Sequence, residues 1–396
     1  MRSFHLPVWL GTASRPRART FAALFAGSAF SRTLLITVVP LQAHSLLGDA
    51  QKVSLLYFGV SLAALSGSLA IPWLVRQLNR RTVFTLGATL MGSGAAVMTG
   101  GTPGALVGGF AVHIFGVACL EITLNLYLLD HVPRNELGRF EPMRVFYAAG
   151  AWTLGPWLGV YLETHLVHWA PFALSAFFAS GLLSYFWVLR LTENPAVAKA
   201  RRKPPNPLHY LPRFFSQPRL RLAWFLAFGR SAWWAMFFIY APIYAVTSGL
   251  GEVMSGAIVS LGTGVIFLVP IWGWVARRFG VRRLLMTSYT VSGLASLAIA
   301  LASGLPWLGV AILLGAAVAC GALDGAGNVP FLRAVHPPER AEMTTVFATY
   351  RDASQFAPPG LFALLLRHFE LPAVFVAGGL GMLVLAHFSR YLPRRL

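Results

Sequence analysis

Twelve apolar runs, each long enough to cross a lipid bilayer, constrain the fold of this chain more than any other feature. A transmembrane helix needs about 20 mainly apolar residues, because each residue adds only about 1.5 Å to its length. We number the runs as spans 1 to 12, and they lie at residues 20–46, 53–75, 82–100, 104–130, 143–166, 169–190, 222–248, 253–276, 284–303, 305–332, 343–366 and 371–392. They predict an all-α integral membrane protein with twelve transmembrane helices.

The composition excludes a soluble enzyme. It indicates that the chain is embedded in a lipid bilayer, which is therefore an expected partner. Only 11% of the 396 residues are charged, against about 25% in soluble domains. Hydrophobic residues make up 56% of the chain, and a single soluble core rarely grows beyond about 300 residues. Cys119 and Cys320 both lie inside apolar runs, so the sequence offers neither a disulfide framework nor a metal site.

Most basic residues lie in the loops on one face of the membrane. Of the 32 lysines and arginines, 27 lie in the loops and tails that become cytoplasmic when both termini are placed inside, and two lie outside. This asymmetry is the one that sets orientation in membrane proteins. It predicts a multi-pass protein of the cytoplasmic membrane with both termini in the cytoplasm. The net charge of +19 is spread over these loops, which argues against a nucleic-acid surface.

The spans divide into two groups of six. Residues 1–19 are predicted to be a basic cytoplasmic tail, 20–190 an N-terminal six-helix bundle, 191–221 a cytoplasmic connection, and 222–396 a C-terminal six-helix bundle. The connection contains a basic cluster and six prolines. Its polar composition marks it as the domain boundary.

The two groups are copies of one another. Matching residues recur at separations of 201 to 203, namely Pro40 with Pro242, Arg76 with Arg277, Glu121 with Asp324, Asn125 with Asn328, Tyr147 with Tyr350 and Pro156 with Pro359. An even number of spans in each copy keeps the copies parallel in the membrane. The sequence therefore predicts two pseudo-symmetric six-helix bundles.

The turns after spans 2 and 8 resemble the signature of the major facilitator superfamily (MFS), Gly-x-x-x-Asp-Arg-x-Gly-Arg-Arg. Both copies carry arginine where the family has aspartate. The residues that match or replace this gating motif are Arg76, Arg80 and Arg81 in the first half, and Gly273, Arg277, Arg278, Gly280, Arg282 and Arg283 in the second. The resemblance implies the MFS fold, a transporter rather than an enzyme, and a central cavity lined by spans 1, 4, 7 and 10.

Span 5 carries a second element of resemblance. Gly155, Pro156 and Gly159 are similar to the Gly-Pro-x-x-Gly-Gly element of drug and proton antiporters within the family, with Val160 in place of the last glycine. A packing or kink role for these residues is the alternative. Two Gly-x-x-x-Gly pairs, Gly104 with Gly108 and Gly321 with Gly325, predict close-packed faces on spans 4 and 10.

Ionisable side chains inside the spans are the candidate binding and coupling residues. Each costs about 2.5–3.5 kcal/mol at the bilayer centre on insertion scales, so each needs a partner or a wet cavity. They are Arg32, Glu121, Arg230, Asp324, Arg351 and Asp352. Depth along the helices puts Arg32 and Glu121 at one level, where they can meet, while the other four share a second level. Asn125 and Asn328 follow the two acids by one helical turn, where their amides can donate to a carboxylate or solute and accept from an arginine.

These charges predict proton-coupled secondary active transport of a small organic solute by alternating access. Protonation of Glu121 or Asp324 would free an arginine for an anionic solute, whereas the Gly-Pro element points to exchange. Both directions of coupling stay open. No ATP-binding loop is present, so we expect no cofactor and a proton gradient as the energy source. We expect a monomer.

Four alternatives remain at this point. The protein could be a uniporter or organic-anion exchanger that uses the same arginines without protons, or a scaffold that transports nothing. It could be a membrane-embedded lipid-modifying enzyme that uses the His-x-x-x-x-Asp pair His44 and Asp49. The charged pairs inside the spans could also be purely structural.

Overall fold

The computed structural model describes residues 16–131, 137–189, 207–302, 304–336 and 339–393. Most of the predicted tail, residues 1–15, and the basic part of the connection, residues 190–206, lie outside the described residues.

Long helices account for every predicted span. Their bounds are Pro16–Leu47 (span 1), Ala50–Met98 (spans 2 and 3), Pro103–His131 (span 4), Leu137–His165 (span 5), Ala170–Val188 (span 6), Pro218–Thr247 (span 7), Glu252–Gly264 with Val269–Phe279 (span 8), Val281–Leu301 (span 9), Pro306–Ala326 (span 10), Arg340–Leu365 (span 11) and Pro372–Phe388 (span 12). Short helical turns at Val265–Leu268, Val329–Ala334 and Ser389–Tyr391 continue spans 8, 10 and 12. The described residues contain no β-strand.

The prediction of twelve spans is confirmed. Within the described ranges, nine helices are long and apolar enough to cross a membrane. One of these, Ala50–Met98, has 49 residues and is two spans joined at a kink. The helices Leu137–His165 and Arg340–Leu365, which correspond to spans 5 and 11, are not among these nine.

The kinks after spans 2 and 8 are built alike. Asn79 has φ 66° and ψ 156°, and it is the non-glycine residue with positive φ in the described chain. Gly280 lies 201 residues later, with φ 90° and ψ 141°. Because the two residues occupy equivalent places in the resembling motifs, the internal repeat extends to the backbone conformation.

Contacts between residues within the chain divide the protein into two compact units. Unit 1 is Met1–Leu46 with Leu62–Arg201, and unit 2 is Leu47–Ser61 with Arg202–Leu396. The start of span 2 thus packs within unit 2, where the Ser54 and Tyr240 hydroxyls lie 2.7 Å apart. A Cβ on Gly360 of span 11 would lie 2.8 Å from the ring of Phe58.

Glycines bring spans 3 and 4 of unit 1 into backbone contact. A Cβ on Gly109 would lie 2.7 Å from the carbonyl oxygen of Gly94, and one on Gly116 would lie 2.7 Å from that of Gly87. The prediction that Gly104 and Gly108 form the packed face was wrong, since a Cβ on either would meet no atom within 4 Å. The packed face of span 4 is rotated away from them and uses the seven-residue spacing of Gly109 and Gly116.

The glycine pair of unit 2 is closely packed, as predicted. Unit 2 also contains a helix that the sequence pattern did not predict. Gly321 and Gly325 contact Val265 and Trp272 of span 8. The connection forms the helix Pro207–Ser216. Its Phe214 is fully buried in a cluster with the starts of spans 7 and 11, so this helix is an integral part of unit 2.

Candidate functional site

Arg230 of span 7 is the centre of a polar cluster inside unit 2. It is 6% exposed, and its Nε lies 3.2 Å from Oδ1 of Asp324. Nη1 donates to the Leu323 carbonyl at 3.1 Å, while Nη2 donates to Asn328 Oδ1 at 3.3 Å and to the Tyr350 hydroxyl at 3.2 Å. Three of the five guanidinium N–H groups therefore have hydrogen-bond acceptors, and with the ion pair they hold the charge in one orientation.

Asp324 is the accessible member of the ion pair. Its side chain is 40% exposed, against 8% for Arg230. The second carboxylate oxygen accepts a hydrogen bond from the indole Nε1 of Trp234 at 2.9 Å. The ion pair and the indole hydrogen bond therefore orient the carboxylate, while part of it stays exposed.

A break in span 10 makes room for the arginine. The helix ends at Ala326 and resumes at Val329. A Cβ on Gly327 would overlap Nη1 of Arg230, so only glycine fits there. Asn328 follows Asp324 by four residues across this break, and both side chains contact Arg230. The Asn328 amide oxygen accepts from an arginine, as expected.

Arg351 and Asp352 lie beside this cluster on span 11, and both are exposed. Nε of Arg351 donates to the Tyr350 hydroxyl at 3.3 Å. The same oxygen accepts from Arg230, so Tyr350 links the buried arginine to the exposed one. These contacts place four of the predicted charged residues in or beside one cluster.

Unit 1 does not repeat this arrangement. Glu121 is exposed, and the Asn125 amide donates to the carbonyl of Glu121 at 2.8 Å, within its own helix. Arg32 lies over the ring of Trp152, with 5.4 Å from Cζ to the ring centroid. Among the described ion pairs, none joins Arg32 to Glu121, so that part of the prediction was wrong.

The repeat explains why the two units differ. At the separation of 202 residues that relates Pro40 to Pro242, Arg230 corresponds to Ser28, and Arg32 corresponds to Trp234. The arginine of unit 1 is therefore one turn, or about 6 Å, farther along its helix than the arginine of unit 2. It cannot take the place that Arg230 has beside the acid.

Two residues of the cluster were not predicted as site residues. Trp234 follows Arg230 by one helical turn, so their spacing indicates a shared face. Tyr350 belongs to the repeated pair Tyr147 and Tyr350, a signal that could have placed it beside the acids. In unit 1, Tyr147 is exposed.

The residues of the gating motif lie at the helix ends around the two kinks. Arg81 is stacked over Trp187 with Cζ 3.9 Å from the ring centroid, and Arg278 lies over Trp274 at 5.4 Å. Arg76 and Arg277, at the position of the family's aspartate, are both exposed. These contacts anchor the basic turns on aromatic rings.

The Gly-Pro element of span 5 is a packing surface against span 1. A Cβ on Gly155 would overlap the Thr33 hydroxyl, and one on Gly159 would overlap the Leu34 carbonyl. Thr33 in turn donates to the Ala151 carbonyl at 2.8 Å. The glycines therefore let two helices approach closely, as the packing alternative expected.

Asp49 has a structural part at the start of span 2. Its carboxylate accepts a hydrogen bond from the backbone N–H of Gln51 at 3.0 Å. This is the contact of a helix N-cap, so Asp49 has a structural role at the start of span 2.

The family model of the Major Facilitator Superfamily matches residues 21–357. Several solved transporter structures share the fold. The nucleoside transporter NupG is 15% identical with a TM-score of 0.75, and the match covers 96% of this chain and 99% of that one. The D-xylose-proton symporter is 13% identical with a TM-score of 0.75, covering 96% and 98%.

A peptide transporter, POT, solved in complex with sulfate, is 13% identical with a TM-score of 0.74, covering 94% of this chain and 93% of that one. At these sequence identities the similarity shows only that the fold is shared. Among curated proteins, no sequence matches this chain.

Proposed function

Because the chain belongs to the major facilitator superfamily, a family of secondary transporters, we propose that it moves a small organic solute by alternating access and couples this movement to protons. The chain is a multi-pass membrane protein. We place it in the cytoplasmic membrane as a monomer with both termini inside, as the loop charges indicate.

The observation that carries the coupling proposal is the unequal exposure of Arg230 and Asp324. The half-exposed carboxylate of Asp324 can take up and release a proton, whereas the guanidinium of Arg230 is already protonated. When Asp324 is ionised, the pair has no net charge. When Asp324 takes a proton, Arg230 keeps its charge and its contacts with Leu323, Asn328 and Tyr350, so the cluster gains one positive charge.

This change in charge favours an anionic solute. A cation in a low-dielectric site attracts an anion strongly, so protonation and anion binding reinforce one another. The result is cotransport of a proton with an anion. The D-xylose-proton symporter has the same fold. Its name describes cotransport of a sugar with protons, which supports proton coupling as a proposal for this chain.

Arg32 supplies a second candidate contact for the solute in unit 1. Its stacking on Trp152 leaves the guanidinium edge for hydrogen bonds, since a cation–π contact uses only the face. We propose Glu121 and Asn125 of span 4 as further candidate solute contacts in unit 1. Arg351 and Asp352 extend the corresponding face of unit 2.

The test uses purified protein in liposomes that contain a pH-sensitive dye. Solutes are first chosen from panels of organic anions, cations and neutral sugars by the rise in unfolding temperature that each causes. Addition of the bound solute is expected to acidify the lumen. Glu252→Gln, which removes an exposed acid at the start of span 8, is expected to leave this signal unchanged.

Two results would count against the proposal. Uptake of labelled solute without lumenal acidification would identify the exchanger or uniporter alternative. Flux of protons that is the same with and without solute would show that the two movements are not coupled.

A further inference from the structure

A basic cavity lies at one end of unit 2, away from the Arg230 cluster. It has a volume of about 880 Å³ and lies between the residues that begin span 7 and those that follow span 10. Its ionisable lining residues, in the described part of the chain, are Arg219, Arg333 and His336. All three are exposed. None of the described lining residues is a carboxylate, so this lining favours an anion.

Its walls are fixed by packing. Gln217 and Pro218 open the helix of span 7, and Ser216, which ends the helix Pro207–Ser216, also lines the cavity. That helix is held by the buried Phe214 and by the ion pair of Arg213 with Glu339. The nearby carboxylate of Glu339 is therefore engaged by another arginine.

The start of span 7 adds polar donors to the basic side chains. The first backbone N–H groups of a helix have no acceptor within it, and Pro218 occupies the first turn, where its missing N–H costs nothing. The N-terminal end of a 30-residue helix also carries a partial positive charge. Arg219 and Arg333 thus supply full charges beside a partial one, and the imidazole of His336 adds a hydrogen-bonding group.

The cavity lies at the ends of two apolar runs. Arg219 precedes the apolar run 222–248 by three residues, and Arg333 directly follows the run 305–332. Both belong to segments that the distribution of basic residues places in the cytoplasm. A ligand bound here would have its charge beside the ends of the apolar runs, the level at which lipid headgroups meet a membrane protein.

We propose that this cavity binds the phosphate headgroup of an anionic phospholipid from the cytoplasmic leaflet. Two arginines and a histidine match the oxygens of a phosphate group, and basic pockets between transmembrane helices are known to select anionic headgroups. A free phosphate carries the same chemistry. The position of the cavity at the end of the apolar runs favours the lipid as its source.

The experiment measures lipid binding to the purified full-length chain by native mass spectrometry and by unfolding temperature in detergent. The probes are phosphatidylglycerol, phosphatidylcholine and inorganic phosphate. Phosphatidylglycerol is expected to bind and to raise the unfolding temperature more than phosphatidylcholine. In the double variant Arg219→Gln, Arg333→Gln, its binding is expected to weaken about tenfold or more.

Arg221→Gln is the matched control. Arg221 is exposed on the same helix two residues from Arg219 and does not line the cavity, so its loss removes the same charge from the same surface. Size-exclusion profiles show whether each variant folds. Should the double variant not fold, the single variants Arg219→Gln and Arg333→Gln give the same comparison.

Three outcomes would overturn the proposal. They are equal binding of the two lipids, an equal loss of binding in Arg221→Gln, and saturable stabilisation by inorganic phosphate with none by phosphatidylglycerol. The last outcome would assign the cavity to a soluble phosphate compound.

Discussion

Asn79 and Gly280 adopt nearly the same backbone conformation at matching places in the two repeats, with φ 66° and ψ 156° for Asn79 and φ 90° and ψ 141° for Gly280. This region is populated almost only by glycine, and other residues there cost about 1–3 kcal/mol. The turn between two spans is therefore required in both halves. The first half forms it with a strained residue.

Replacement of Asn79 by glycine is expected to stabilise the protein by about 1 kcal/mol, because it removes this strain. Gly280→Ala is expected to destabilise it by a similar amount. Thermal unfolding in detergent measures both changes. Gly315→Ala is the control, since Gly315 lies in a helix with nothing within 4 Å of its Cβ position. A lower unfolding temperature for Asn79→Gly would contradict the account.

The ion pair of Arg230 and Asp324 is expected to be strongly coupled. Asp324→Asn leaves a buried arginine without its counter-charge, so it should destabilise more than the double variant Arg230→Gln, Asp324→Asn. A double-mutant cycle on unfolding free energies should give a coupling of about 1–3 kcal/mol. The Arg213–Glu339 pair, with side-chain exposures of 64% and 23%, should give less than about 1 kcal/mol. Equal coupling energies in the two pairs would contradict the strong coupling expected between Arg230 and Asp324.

Gly327→Ala is expected to displace Arg230 without unfolding the chain, because the added methyl group competes with Nη1 for one position. A misplacement of about 1 Å in such a site can cost about 100-fold in rate. Initial rates of solute uptake check this, and Gly315→Ala in the same span is expected to transport normally. Full activity in Gly327→Ala would show that the position of Arg230 is not critical.

Gly155→Ala is expected to destabilise unit 1, since spans 1 and 5 must separate to admit a methyl group beside Thr33. Overpacking of this kind costs about 1–3 kcal/mol. Gly104→Ala, at an open position, should leave the unfolding temperature unchanged or slightly raised. Equal effects of the two substitutions would remove the assignment of Gly155 to a packed face.

The twelve spans could be predicted from the sequence because lipid imposes a minimum length of apolar helix. The helix Pro207–Ser216 could not, because it is only ten residues long and is stabilised by contacts of Phe214 and Arg213 with distant parts of unit 2. Short helices depend on such tertiary contacts rather than on their own propensity.

The site was partly predictable for a geometric reason. Residue types and depth brought Arg230 and Asp324 together correctly. They failed for Arg32 and Glu121, because depth alone does not fix the direction in which a side chain points around its helix. The repeat gives that direction, since it aligns Arg32 with Trp234 and not with Arg230.

The most direct measurement of the central claim compares two modes of transport in Asp324→Asn. Uptake driven by an inward proton gradient requires the carboxyl to bind and release a proton, whereas exchange of labelled for unlabelled solute does not. The account predicts that liposomes with Asp324→Asn lose gradient-driven uptake and retain exchange. Gradient-driven uptake at the rate of the unaltered protein would contradict it.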